Sequence, residues 1–138
     1  SANNAKFKLH RLGINADCSI DGHSMAIDAA LLNVGDVAVG ISHSGSSKDV
    51  VRALQIAKEA GATTVSITHY MKSPISRFSD YILLTAAKET PFRSGSLAQN
   101  ICQSFIIDVV YTEVLRRSGD KGLDVLNKAI KAIEEKLY

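Results

Sequence analysis

Long apolar runs are missing from this chain. A membrane-spanning helix needs about 20 consecutive, predominantly apolar residues. The densest apolar segment, residues 105–111, is interrupted by Asp108. Residues 1–8 hold nothing like the apolar centre of a signal peptide. Charge of one sign is equally scarce: 16 Lys and Arg stand interspersed with 14 Asp and Glu, for a formal net charge of +2. A domain that grips nucleic acid through its phosphates carries a larger, clustered basic excess, so direct DNA binding by these residues is not expected. Only two cysteines occur, Cys18 and Cys102, far apart and in no CxxC arrangement, which fits a reduced, cytoplasmic protein. The histidines His10, His23, His43 and His69 fall in no metal-ligand spacing, so neither a metal nor another cofactor is expected. Repeats, low-complexity tracts and linkers are also missing. What is present is 138 residues, 46% hydrophobic and 22% charged, the make-up of one globular domain long enough to bury a core.

Glycine and proline punctuate the chain into alternating elements. The spacing of Ala5, Leu9 and Leu12 predicts a helix over residues 2–12, stopped by Gly13. A short strand is expected at 15–20, a turn at Asp21-Gly22, a helix over 24–32 and a turn at Gly35-Asp36. Residues 37–42 (VAVGIS) form a continuous apolar run between turn signals, the pattern of a strand buried on both faces. A helix follows over 48–60, with Val50, Val51, Leu54 and Ala57 toward the sheet and Gly61 at its end. Strands are expected at 63–68 (TTVSIT) and 80–85 (DYILLT), with a short helix opened by Ser73-Pro74 between them. A long helix over 96–117, with a capping box of Ser96 and Gln99, precedes a last helix over 120–138. That last helix carries an apolar stripe from Leu123 through Leu126, Ile130 and Ile133 to Leu137. Strands alternating with helices imply an α/β fold with a parallel sheet.

The chemistry concentrates in the loop after the first apolar strand, where VAVGIS runs into HSGSSKD. In parallel α/β sheets, ligands bind beyond the carboxyl ends of the strands. A helix N-terminus there offers unpaired N–H groups and a positive dipole end to an anion. Ser42, Ser44, Ser46 and Ser47 add hydroxyls, and Gly45 permits close backbone approach and a positive φ. No GxxxxGK[ST] is present, which disfavours a nucleotide triphosphatase. A plain helix cap by Ser46 or Ser47 is also expected, but a cap needs one hydroxyl and this loop presents four.

The run Ser42-His43-Ser44-Gly45-Ser46-Ser47-Lys48-Asp49 resembles the SxSGx[ST]x[DE] signature of SIS (sugar isomerase) domains. Three further segments are similar to the sugar-phosphate-sensing domain of RpiR-type transcriptional regulators. These are Lys8-Leu9-His10-Arg11-Leu12-Gly13, the Gly35-Asp36 turn, and the ETPFRSG segment that begins at Glu89. The resemblance implies a three-layer, flavodoxin-like parallel sheet flanked by helices, covering residues 1–138, with its first strand and a GxGxS loop lying upstream of this sequence. On this expectation the domain is N-terminally incomplete, and 15–20 does not pair directly with 37–42.

The resemblance further implies a phosphosugar-binding sensor domain, not an enzyme. Its ligand residues would be Ser42, His43, Ser44, Gly45, Ser46, Ser47 and Glu89, and DNA would be bound only by an upstream helix-turn-helix. The alternative is a sugar-phosphate isomerase or related lyase at the same site. In that case Glu89 is the candidate catalytic base, moving a proton between C1 and C2 of an open-chain sugar. His23, Lys48 and Arg93 are secondary candidates: His23 reads more safely as a helix-start residue, Lys48 more commonly as a solvated lysine, and Arg93 fits a phosphate contact or a subunit salt bridge equally. Asp108 sits in a helix that is otherwise apolar on several sides (Ile106, Ile107, Val109, Val110), so it needs a charged partner or an interface. The apolar belt around it predicts a homodimer or higher homo-oligomer.

Overall fold

A computed structural model of the chain describes residues 1–87 and 97–136. In chain order the elements are α1 (Ala2–Arg11), α2 (Gly22–Ala30), β1 (Val37–Ile41), α3 (Lys48–Glu59) and β2 (Thr63–Thr68). After them come a short 3-10 helix (Pro74–Phe78), β3 (Tyr81–Leu84) and α4 (Leu97–Glu134). The chain divides into two compact units: Ser1–Cys18 with Ser104–Tyr138, and Ser19–Gln103.

The Ser19–Gln103 unit is the α/β unit. Its three strands are all parallel and lie in the order β1-β2-β3. The register sets Gly40 beside Ser66 and Ile41 beside Ile67, then Val65 beside Tyr81 and Thr68 beside Leu84. Five of the six residues of β2 are β-branched and the strand has a neighbour on each side, which suits Thr, Val and Ile on a pleated surface. The amphipathic α3 buries Leu54 and Ala57. Gly40 is what lets it lie close: a Cβ there would stand 2.7 Å from Leu54 Cδ1 and 3.2 Å from Val50 Cγ1. Ala29, Ala57 and Ala62 form a small-residue core between α2, α3 and the sheet, with Leu32, Ala38, Ala53 and Ile56 packed on it.

Asp80 pins the start of β3 to the start of β2. Thr64 donates to its carboxylate from the backbone N–H at 2.9 Å and from the hydroxyl at 3.0 Å, and Lys58 Nζ donates at 2.9 Å. These donors hold its carboxyl down at about 2, the Thr64 N–H contributing most.

The strand expected at residues 15–20 is absent, and this is a correction. The segment is irregular because its polar side chains find local partners in place of a ladder. Asp17 accepts from Lys6 Nζ at 2.6 Å and from the Cys18 N–H at 2.8 Å, while the Ser19 hydroxyl donates to Asp28. Accordingly 15–20 does not pair with β1, whose only strand neighbour among the described residues is β2. The helix expected at 24–32 starts two residues earlier. Asp21 is more than a turn residue: it accepts the Ser24 N–H at 2.9 Å and so caps α2.

In the Ser1–Cys18 and Ser104–Tyr138 unit, the two expected C-terminal helices join as α4, broken at Gly119, whose φ of 57° and ψ of −144° are not helical. Asp108 has its charged partner in Lys8. Of the expected apolar belt, Ile107 is buried and Ile106 half-buried, whereas Phe105 and Val109 are exposed. Ser96 of the expected capping box and Leu137 of the last stripe lie outside the described residues.

Candidate functional site

β1 delivers Ser42 to the carboxyl edge of the sheet. Its N–H continues the ladder, donating to Ile67 O at 3.0 Å, and the residue is only 6% exposed. The chain then turns tightly. The Gly45 N–H donates to Ser42 O at 3.1 Å, and Gly45 takes φ +65°. A side chain at Gly45 would collide with Ser73, because a Cβ would stand 2.2 Å from Ser73 Oγ and 2.6 Å from Ser73 Cβ. The loop after β2 is therefore laid directly on the serine loop. Gly45 O accepts the Ile75 N–H at 2.9 Å, and His43 O accepts the His69 N–H at 3.0 Å and the Thr68 hydroxyl at 3.2 Å.

The hydroxyls are arranged differently from a helix cap. Ser47 precedes α3 in extended conformation, yet its side chain makes no capping bond. Its Oγ instead lies 3.1 Å from Ser42 Oγ. Ser46 turns back on the loop, donating its hydroxyl to Ser44 O at 3.3 Å and its N–H to Ser44 Oγ at 3.2 Å. The expectation that Ser46 or Ser47 caps the helix is thus corrected: both hydroxyls bond within the loop. The first α-helical bond runs from the Val51 N–H to Ser47 O at 2.9 Å. By helix geometry the N–H groups of the first turn then have no intrahelical acceptor. They form the positive end of α3 beside exposed Ser44, Ser46 and Ser47.

A second helix N-terminus lies alongside. A Cβ on Gly22, the first residue of α2, would stand 2.7 Å from Asp49 Cγ, so the Asp49 carboxylate rests against the start of α2, whose dipole suits it. His23 is exposed on the next position and Lys48 is exposed at the first residue of α3. Glu89 and Arg93 lie outside the described residues.

Sequence reasoning did not single out His69 and Tyr70, which the structure sets beside the serine loop. The His43 and His69 rings stack with centroids 5.0 Å apart and planes 21° apart. Tyr70 meets His69 edge-on at 4.7 Å and His43 at 6.1 Å. The available signal was topological: residues just after β2 must lie beside those just after its parallel neighbour β1. Among the described residues, no group of three His, Cys, Asp or Glu side chains is placed to hold a metal ion.

The SIS domain family profile matches residues 1–113. The chain belongs to the SIS domain family. Among its relatives is an uncharacterized HTH-type transcriptional regulator of Haemophilus influenzae, 37% identical over 135 residues, covering 98% of this chain and 47% of the relative. The HTH-type transcriptional regulator RpiR of Escherichia coli is 36% identical over 107 residues, covering 78% of this SIS chain and 36% of RpiR. The chain thus spans about half or less of the curated relatives it matches. Vibrio vulnificus NanR, solved in complex with ManNAc-6P, superposes with a TM-score of 0.87 at 27% identity, over 96% of this chain and 50% of NanR. The sugar isomerase domain of an RpiR transcription factor from Sphaerobacter thermophilus gives 0.79 at 24% identity, over 94% of this chain and 71% of that one, a likeness of fold. The resemblance read from the serine loop, to SIS domains with RpiR-type regulators as relatives, is borne out.

Proposed function

We propose that this SIS domain is the effector-sensing part of a transcriptional regulator and binds a sugar phosphate through Ser42, His43, Ser44, Gly45, Ser46 and Ser47. The observation that carries the reading is the turned-away Ser47 hydroxyl. It leaves the first-turn N–H groups of α3 to an anion and adds side-chain donors around them. The HTH-type regulators among the relatives and the sugar phosphate held by NanR support it. In such a protein, DNA is bound by the helix-turn-helix of the longer regulator, the protein works in the cytoplasm as a homo-oligomer, and this domain supplies the ligand-dependent signal.

Isothermal titration of hexose and pentose phosphates against the protein and its Ser42→Ala/Ser44→Ala/Ser47→Ala variant tests the assignment. Each hydrogen bond to a charged phosphate is worth about 1.5–3 kcal/mol, so the triple variant should bind at least about a hundredfold more weakly. Equal affinity in the two proteins refutes the assignment. Turnover of aldose to ketose phosphate, abolished by Glu89→Gln, would replace the sensor with the isomerase or lyase reading.

A further inference from the structure

Phosphate recognition alone does not tell one sugar phosphate from another, so some other group must read the sugar. The loop after β2 lies against the serine loop through the His69 N–H to His43 O and the Ile75 N–H to Gly45 O bonds, and it brings two rings to that position. His69 is held unusually well for a loop side chain. His43 stacks on its face and Tyr70 meets it edge-on. Its Nδ1 lies 2.9 Å from Thr85 O, and Thr85 is itself fixed by an N–H bond to Thr68 O at the end of the β2–β3 ladder. A carbonyl oxygen only accepts, so Nδ1 carries the proton in that bond. In the neutral ring this leaves Nε2 as an acceptor, and it has no hydrogen-bond partner among the described residues. Tyr70 keeps about half of its surface open, at 51%. A fixed acceptor beside an open aromatic ring matches the two sides of a sugar, its hydroxyl donors and its C–H face.

Resting on the sugar-phosphate reading above, we propose that His69 and Tyr70 are the specificity-determining residues of this site. His69 Nε2 accepts a hydrogen bond from one sugar hydroxyl while the Tyr70 ring packs on the sugar carbons and the serine loop holds the phosphate. A site built around such a bond discriminates against analogues lacking the hydroxyl, because its acceptor is then left unpaired.

The test is a cycle between protein and ligand. The wild-type protein, His69→Phe and Tyr70→Ala are titrated with inorganic phosphate, with a panel of hexose 6-phosphates including N-acetylated ones, and with the deoxy counterparts of whichever sugar phosphates bind. His69→Phe keeps an aromatic ring in the stack and removes the acceptor. It should lose about tenfold in affinity for the cognate sugar phosphate while inorganic phosphate binds as before. One deoxy analogue should be penalised in the wild type and not in His69→Phe. Tyr70→Ala, at an exposed position, should weaken every sugar phosphate and spare inorganic phosphate. Unchanged affinities in both variants overturn this inference alone. So does an equal loss for phosphate and all sugar phosphates, since the ring would then only support the loop. A wild-type protein that binds no member of the panel overturns the sugar-phosphate reading, and this one with it.

Discussion

Alanine in place of Gly45 should destabilise the protein by about 2–4 kcal/mol and weaken phosphate-ester binding at the same time. Two costs combine. Gly45 sits at φ +65°, where an L side chain costs about 1–2 kcal/mol. The new Cβ would also stand 2.2 Å from Ser73 Oγ, 2.6 Å from Ser73 Cβ and 3.0 Å from Thr68 Oγ1. Rotating the Ser73 hydroxyl relieves the first of these contacts, but not the second, because Cβ is fixed to the backbone. Ser73 must therefore shift. Three bonds are at stake: the Ser73 hydroxyl to Tyr70 O at 2.8 Å, the Ser73–Ser76 hydroxyl pair at 3.1 Å, and the Ile75 N–H to Gly45 O at 2.9 Å. Losing one or two of them, at about 0.5–1.5 kcal/mol each, brings the sum to about 1.5–5 kcal/mol, with the stated range at its centre. Gly35→Ala is the control. Gly35 also has a positive φ, +97°, but nothing lies within 4 Å of its would-be Cβ, so it bears the backbone cost without the collision. Urea denaturation midpoints of the two variants and calorimetric titration of a bound sugar phosphate decide the matter. If Gly45→Ala lies within about 0.5 kcal/mol of Gly35→Ala and binds as the wild type does, the loop-on-loop argument is wrong.

Asp80 makes stability depend on acid. Its folded-state carboxyl is depressed to about 2 from an ordinary value near 3.8, so its contribution is present above about 4 and is lost as pH falls toward 2. Asp80→Asn should therefore be less stable than wild type at neutral pH, with the difference in urea midpoint shrinking over that window; a gap that stays constant from pH 7 to 2 counts against the assigned donors. Self-association is expected through α4, where Phe105 is 67% exposed and Val109 is 53% exposed one turn apart. Light scattering at high micromolar concentration should give a dimer or larger mass for the wild type and a smaller one for Phe105→Glu, and a strictly monomeric wild type would refute it.

The parallel sheet was legible because each of its strands is a short apolar or β-branched run bounded by turn residues, and β2 matches its expected bounds to the residue. The serine loop was legible because its spacing is local. Residues 15–20 were misread because a short stretch between turn signals does not by itself make a strand. A ladder needs a neighbour, and Asp17 and Ser19 take side-chain partners instead. The Ser47 cap was misread for a related reason: cap preference describes one hydroxyl and one helix, while here a second hydroxyl, on Ser42, pairs with the Ser47 side chain. Thr85, which fixes the His69 ring, lies sixteen residues beyond it in sequence, so no local pattern connects the two.

The bond between the Ser42 and Ser47 hydroxyls also sets the terms on which a ligand enters. Any guest must compete with a partnership the loop already has. A neutral hydroxyl or carbonyl offers these serines an exchange of like for like and gains almost nothing. A phosphate dianion offers charge-assisted bonds, roughly twice as strong as neutral ones, and wins the exchange. On the proposed reading the loop is in this sense a filter on charge: an unphosphorylated sugar of the same shape would be turned away because its bonds are no better than the ones it would displace, with no clash required.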